Sequence, residues 1–340
     1  MAQAGIDRGG VVEKLGRGDR SAPVEHGGNL DRAVARFGGQ AADWIDLSTG
    51  INRTPYPLPE IPSAAYQRLP LDSDVEALLK AARTAYRTDA PMVPLAGAQA
   101  AIQLIPNLMP VGRVAIVSPT YNEFNKTFRQ AGWRVFEVGS LADAVGCDVA
   151  VVVNPNNPDG RTYQPADLLK AAASVELLIV DESFCDPTPE LSLAPAAGSA
   201  NLIVLRSFGK FYGLAGLRLG FAISNRLVIE RLERMAGPWA VSGPAIAVGR
   251  QALADVAWQK SAKARLRADA DHLQTVAAEL GWSPIGRTAL FHLFNTPHAR
   301  RAQAALAGHK IWTRIFPFSD TLIRLGLPGS PAEWARLRQA

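Results

Sequence analysis

Short, almost wholly apolar runs recur through the middle of the chain, separated by stretches that carry a helical pattern. The runs are Arg113–Ser118, Trp133–Val138, Asp148–Val153, Leu177–Asp181, Leu202–Leu205 and Leu217–Ile223. Most are continuous β-branched or leucine segments without alternation, as strands covered on both faces are. Between them, Asp72–Tyr86, Ala98–Leu108, Glu123–Gln130 and Pro165–Ala173 predict helices, with Pro165 at a favoured first helical position. This alternation predicts a layered α/β domain. Past Arg226 the pattern changes. One long helical stretch over Pro244–Leu280 precedes the shorter strands Ala289–Phe294, Ile311–Phe316 and Thr321–Leu325 and a closing helix, Ala332–Gln339. The expected organisation is a large domain over residues 47–235 and a small α+β domain over 236–340. The segment 1–46 is expected to pack with the small domain.

Composition narrows the function classes. The 340 residues are 48% hydrophobic and 20% charged, with a net charge of +5, which fits a soluble globular protein. There is no basic block or aromatic-interleaved stripe, so nucleic-acid binding is not expected, and a mild positive potential suits a small anionic substrate. The two cysteines, Cys147 and Cys185, have neither metal-ligand nor disulfide spacing and fit a reducing cytoplasm. No apolar run reaches the ~18 residues of a membrane span. The first 25 residues are charged and glycine-rich, without the apolar centre of a signal peptide.

The candidate chemistry centres on Lys210, in Ser207-Phe208-Gly209-Lys210-Phe211-Tyr212-Gly213-Leu214-Ala215-Gly216-Leu217-Arg218-Leu219-Gly220. A lysine becomes a nucleophile toward an aldehyde cofactor when its surroundings lower its pKa. The glycines at 209, 213, 216 and 220 let backbone approach a ligand closely. Asp181 ends an apolar strand, where ligands bind in α/β sheets, and would keep a pyridine nitrogen protonated. Asn157, in the turn Asn154-Pro155-Asn156-Asn157-Pro158, offers an amide to a phenolic oxygen. Gly97-Ala98-Gln99 opens a helix, whose first amides and dipole suit a phosphate. Ser207 and Arg218 flank Lys210 and complete that cradle. Tyr121, in Pro119-Thr120-Tyr121, is placed to stack on a ring. Arg324 lies inside the apolar strand Leu322–Leu325, where an arginine needs a partner, and a substrate carboxylate is the favoured one. Ser207-Phe208-Gly209-Lys210 also matches the Ser-x-x-Lys of serine acyl-transfer enzymes, but the Lys-Thr-Gly and Ser-Asp-Asn motifs of that group are missing.

Taken together, the order glycine-rich helix start, Pro-Thr-Tyr, Asn-Pro-x-Asn-Pro, Asp-Glu, Ser-x-x-Lys, Gly-Leu-x-Gly-Leu-Arg-Leu-Gly and late arginine resembles the fold-type I pyridoxal phosphate enzymes. The matching branch is the class I/II aminotransferases, and the motifs span residues 97–324. The resemblance implies an aspartate aminotransferase-like large domain, three-layered around a mostly parallel sheet, with a small α+β C-terminal domain. It also implies a homodimer and pyridoxal 5'-phosphate as cofactor. By it Lys210 carries the cofactor, Asp181 meets the pyridine nitrogen and Asn157 the phenolic oxygen. Tyr121 stacks on the ring; Ala98, Gln99, Ser207 and Arg218 hold the phosphate; Arg324 takes the substrate carboxylate.

His26-Gly27-Gly28-Asn29 and Asp46-Leu47-Ser48-Thr49-Gly50-Ile51-Asn52 are similar to the opening of the threonine-phosphate decarboxylase group of the cobalamin pathway. The tail Leu322-Ile323-Arg324-Leu325-Gly326-Leu327-Pro328-Gly329 is similar too. That likeness implies decarboxylation of L-threonine O-3-phosphate to (R)-1-aminopropan-2-yl phosphate, with His26 and Asn52 added to the substrate-binding residues. An aminotransferase of the histidinol-phosphate type would use the same residues, and a chain that binds cofactor or partner without catalysing is the non-enzymatic alternative. Four positions depart from the group. Phe184 replaces a tyrosine near the cofactor, and Leu69 one that reaches the partner subunit. Arg53 replaces a proline, and Gln99 a small hydroxyl or an acid.

Overall fold

Side chains along the central strands sort by parity into two apolar cores, one on each face of a single sheet. Ala115, Val117, Ala150, Val152, Leu178, Val180, Leu202 and Val204 face one way; Val114, Ile116, Val149, Val151, Ile179, Ile203 and Leu205 face the other. A strand buried on both faces must be apolar at every position, which is why the sequence shows no alternation here. The computed structural model describes residues 27–199 and 201–340, so His26 lies outside the described residues.

The strands in chain order are β1 (Ile45–Asp46), β2 (Met92–Leu95), β3 (Arg113–Val117), β4 (Arg134–Val138), β5 (Val149–Val153), β6 (Leu177–Asp181), β7 (Leu202–Ser207), β8 (Gly220–Ile223), β9 (Ser283–Arg287), β10 (Phe291–Asn295), β11 (Ile311–Trp312), β12 (Arg314–Phe316) and β13 (Ser319–Gly326). The large sheet runs β2-β8-β7-β6-β5-β3-β4. Its ladders from β7 to β4 are parallel, while β8 runs antiparallel to both β7 and β2. A second, antiparallel sheet has the order β12-β13-β10-β9, and β1 pairs in parallel with β11. Among the described residues no helix is long and apolar enough to cross a membrane.

The helices are α1 (Leu30–Phe37), α2 (Ala64–Gln67), α3 (Asp72–Tyr86), α4 (Ala98–Leu104), α5 (Glu123–Gln130), α6 (Pro165–Ala172), α7 (Phe208–Phe211), α8 (Arg226–Ala236), α9 (Gly243–Ala254), α10 (Val256–Glu279), α11 (Ala299–Gly308) and α12 (Pro331–Arg338). Three departures from the sequence pattern have local causes. The single stretch expected over 244–280 is two helices, because Asp255 caps the second by accepting from Trp258 N at 2.9 Å. The strand expected from Leu217 begins only at Gly220, since Arg218 sits in the left-handed region at φ 54° and closes a short 3-10 turn. β9 was invisible: it is mostly exposed, and Pro284 and Gly286 are residues tolerated chiefly at a sheet edge.

His292 on β10 is fully buried and neither ring nitrogen has a protein partner among the described residues. Burial pushes its imidazole down to about 4, Arg287 acting in the same direction and Asp271 against it. The unfolded chain therefore binds more protons than the folded one between about pH 6.5 and 4. Stability is full above that window and falls as pH drops through it. We expect a loss of roughly 2–3 kcal/mol between pH 7 and 4.5, read by urea unfolding, and a much flatter profile for His292→Phe.

Candidate active site

The carboxyl ends of β2, β3, β5, β6 and β7 converge on one cavity of about 160 Å³. Its lining includes Ala98 and Gln99 from the start of α4, Tyr121 after β3 and Asn157 after β5. Asp181 closes β6, Ser207 closes β7, Lys210 lies in α7 and Arg218 follows it. Eight residues singled out in the sequence thus meet at one place, although they span 98 to 218. Ligands of open α/β sheets bind in this position.

Asp181 is buried at the cavity wall. Ser183 donates to its Oδ1 twice, from the backbone N at 2.9 Å and from Oγ at 2.5 Å. Oδ2 accepts no protein hydrogen bond among the described residues. Burial raises the Asp181 pKa, opposed by the Ser183 bonds and then by Lys210 and Arg206. Lys210 shows the converse effect: burial lowers its amine to about 8, assisted by Arg324, while Asp181 pulls the other way. Its Nζ lies 5.6 Å from the centroid of the Phe184 ring. The chain carrying Lys210 is clamped from outside, because Asn52 N donates to Lys210 O and Asn52 Nδ2 to Phe211 O, both at 2.9 Å.

Arg324 stands just behind the lining. It donates to Asn157 Oδ1 and, at 2.6 Å, to Ser48 O, and its Nε has no partner. It makes no carboxylate ion pair among the described residues, and burial lowers its guanidinium to about 9, with Arg314 adding to the effect. Arg314 opposes it across the β12–β13 ladder. Among the described residues Arg218 likewise bonds only to backbone carbonyls, Ala215 O at 3.1 Å and Ala96 O at 3.3 Å.

The family model for aminotransferase class I and II matches residues 64–339. The chain belongs to that family. It is 44% identical to the threonine-phosphate decarboxylase of Pseudomonas aeruginosa over 93% of this chain and 97% of the relative. Identity is 43% to the threonine-phosphate decarboxylase of a Sinorhizobium species, over 94% and 98%. A histidinol-phosphate aminotransferase of Mesorhizobium japonicum is 30% identical over 81% of each chain. Among solved structures, histidinol-phosphate aminotransferase from Sinorhizobium meliloti, in complex with pyridoxal-5'-phosphate, superposes with a TM-score of 0.77. That match has 20% identity and covers 99% of this chain and 97% of that one, which shows the aminotransferase fold.

The cavity has features that fit the cofactor of this family. One carboxylate oxygen of Asp181 is left for a protonated ring nitrogen, and an amine of depressed pKa stands in the same cavity. Arg218 has a charge that no carboxylate answers among the described residues, beside the first amides of α4. The approach is tight: a Cβ at Gly97, whose φ is +80°, would lie 2.6 Å from Arg218 Nη2. The positive φ favours glycine there, and the guanidinium occupies the space that a Cβ would enter. Phe184 lines the cavity edge-to-face with Phe291, centroids 4.9 Å apart, and contributes no hydroxyl.

Two sequence-singled residues have their side chains committed to other protein groups. Asn52 is buried and does not line the cavity; besides Phe211 O, its side chain accepts from Thr54 N at 3.0 Å and Arg265 Nη2 at 2.8 Å. Gln99 lines the cavity, but its amide is bonded on both ends to protein groups. Sequence reasoning missed Ser183, although Asp-x-Ser is a turn spacing that could have revealed it. Ser48, Arg265 and Arg314 were missed because their contacts to the site residues, to Arg324, Asn52 and Arg324 in turn, join separate segments.

Arg53 has an evident task. It forms a two-pronged ion pair with Glu333, Nε–Oε2 2.8 Å and Nη2–Oε1 2.5 Å, and Thr54 Oγ1 donates to Gly329 O at 3.0 Å. The pair ties the segment holding Asn52 to α12, and the Arg53 bond leads the causes that hold Glu333 below the usual range against its burial. We expect Arg53→Ala to cost about 1–2 kcal/mol in denaturant unfolding, with partial recovery when Arg53→Glu is combined with Glu333→Arg.

Proposed function

We propose that this chain is a pyridoxal phosphate-dependent decarboxylase that converts L-threonine O-3-phosphate to (R)-1-aminopropan-2-yl phosphate, in cobalamin biosynthesis. The observation that carries the reading is near-full-length likeness, at 44% and 43%, to two relatives of that name, against 30% for the histidinol-phosphate aminotransferase. The cavity's charges support it. Among the described residues Arg218 and Arg324 lack carboxylate partners, and Arg314 adds to the same positive field, as a substrate bearing a carboxylate and a phosphate requires.

In this reading Lys210 holds the cofactor, with Tyr121 against its ring. Asp181 keeps the ring nitrogen protonated and Asn157 meets the phenolic oxygen. Ala98 and Gln99 meet the phosphate through backbone amides, alongside Ser207 and Arg218. Bound pyridoxal phosphate supplies the electron sink for the bond broken at Cα. Arg324 binds the substrate carboxylate, with Asn157 beside it. Lys210 Nζ, its pKa lowered to about 8, is in its protonated form the acid that would deliver a proton to Cα. Asn52 acts at one remove, by holding the backbone of Lys210 and Phe211.

We also propose that the protein works as a cytoplasmic homodimer. Leu58, Tyr66, Leu69 and Leu71 are all exposed within one short segment, and exposed apolar clusters mark association surfaces.

The deciding experiment supplies threonine phosphate without any keto acid. Release of CO₂ and aminopropanol phosphate is the expected result. Turnover that requires glutamate and a histidinol-phosphate partner, with no CO₂, overturns the reading in favour of a transaminase.

A further inference from the structure

We propose that Gln99 and Glu123 are positioning residues that fix the ring of Tyr121 through a directed hydrogen-bond relay. Its purpose rests on the reading of the cavity as a pyridoxal phosphate site. Three separate elements meet in the relay: Gln99 is the second residue of α4, Tyr121 follows β3, and Glu123 opens α5. Gln99 Nε2 donates to Glu123 Oε2 at 3.0 Å, and Tyr121 Oη donates to Gln99 Oε1 at 3.1 Å. Lys126 Nζ lies 3.6 Å from Glu123 Oε1 at the outer end.

The direction of the relay follows from chemistry. An ionised carboxylate only accepts, so it faces the NH₂ of Gln99. The carbonyl of Gln99 is then turned to Tyr121, and the phenol must donate. Burial, with Glu123 and Asp181 adding to it, raises the Tyr121 pKa to about 12, so the donor proton stays in place at neutral pH. Tyr121 is thereby anchored at both ends, by its backbone and by its hydroxyl, which fixes the plane of a ring that lines the cavity.

Glu123 is only 5% exposed, and a buried carboxylate is retained at a cost unless its hydrogen bonds are met. Gln99 has its whole side-chain amide engaged in this way and does not present it to a phosphate. An amide at position 99 is the group that can donate to Glu123 and accept from Tyr121 at once. An acid there sets two carboxylates against each other.

The test uses full-length protein freed of cofactor, titrated with pyridoxal phosphate from pH 6 to 9. Affinity and the visible circular dichroism of the bound cofactor are followed together. In Gln99→Glu, affinity at pH 8 is expected to fall at least ~10-fold and to recover toward pH 6, as the two carboxylates come to share a proton. The exchanged pair, Gln99→Glu with Glu123→Gln, rebuilds the relay with its acid and amide transposed. It is expected to return to within about 3-fold of wild type, with the dichroic band restored and the pH dependence gone. Should Gln99→Glu not fold, the exchanged pair carries the test alone.

A Gln99→Glu variant with unchanged affinity and dichroism overturns the relay. So does an exchanged pair that is folded by thermal unfolding but binds no better than the single variant. Wild-type protein that takes up no pyridoxal phosphate overturns the functional reading itself, which separates the two failures.

Discussion

Replacing Lys210 by alanine is expected to lower turnover of threonine phosphate by at least ~10³-fold while leaving the fold intact. In the proposed function the side chain combines two tasks, nucleophile toward the cofactor and proton carrier at Cα, and positioned acid–base groups alone contribute about 10²–10⁴-fold. Burial and Arg324 lower the amine to about 8, because both disfavour its charged form, so removing it removes a group whose cation is unfavourable in this place. Lys210→Ala should therefore unfold no more readily than wild type, and the measurement is turnover set beside thermal unfolding. The visible band that borohydride bleaches in the wild-type holoenzyme should be missing. Wild-type cofactor uptake should itself rise with pH through about 8, because only the neutral amine can attack. A Lys210→Ala variant retaining more than a tenth of wild-type turnover would remove the basis of the proposed function.

The second large effect is expected of Asp181→Asn. Asparagine keeps the shape and can still accept from Ser183, which holds Oδ1 through two hydrogen bonds. What it loses is the negative charge at the cavity wall. Preorganised charge of this kind is worth about 10²–10³-fold in rate, and that is the loss expected in kcat. The amine of Lys210 should change as well. The negative charge of Asp181 favours the protonated amine, so its loss lowers that pKa further. The pH profile for cofactor uptake should move to lower pH in Asp181→Asn. A variant with full kcat and an unmoved profile would show that this carboxylate faces no positive group in the working site.

Strands and helices of the large sheet were legible because burial imposes a rule on every residue in turn. Leu177–Asp181 is apolar throughout since both of its faces are covered, and α3 and α5 end where the pattern placed them. Boundaries failed where one side chain outweighs the pattern: Asp255 by capping α10, Arg218 by taking a left-handed conformation. The exposed strand β9 and the helices α8 and α11 were missed.

The sequence by itself picked out groups that the fold brings to one cavity. Lys210, Asp181, Asn157, Tyr121 and Arg218 announced themselves because each sits at a strand end or glycine-rich turn, and those positions are set by local backbone requirements. Only the tertiary structure decided what surrounds them. It turned Gln99 toward Glu123 and Tyr121, left Arg324 without a carboxylate, gave Asn52 to the backbone of the Lys210 segment and tied Arg53 to Glu333. The physical reason is range. A turn or a strand is specified by neighbours along the chain, whereas the partner of a buried polar side chain is whichever group folding brings within 3 Å, and linear order carries no record of it.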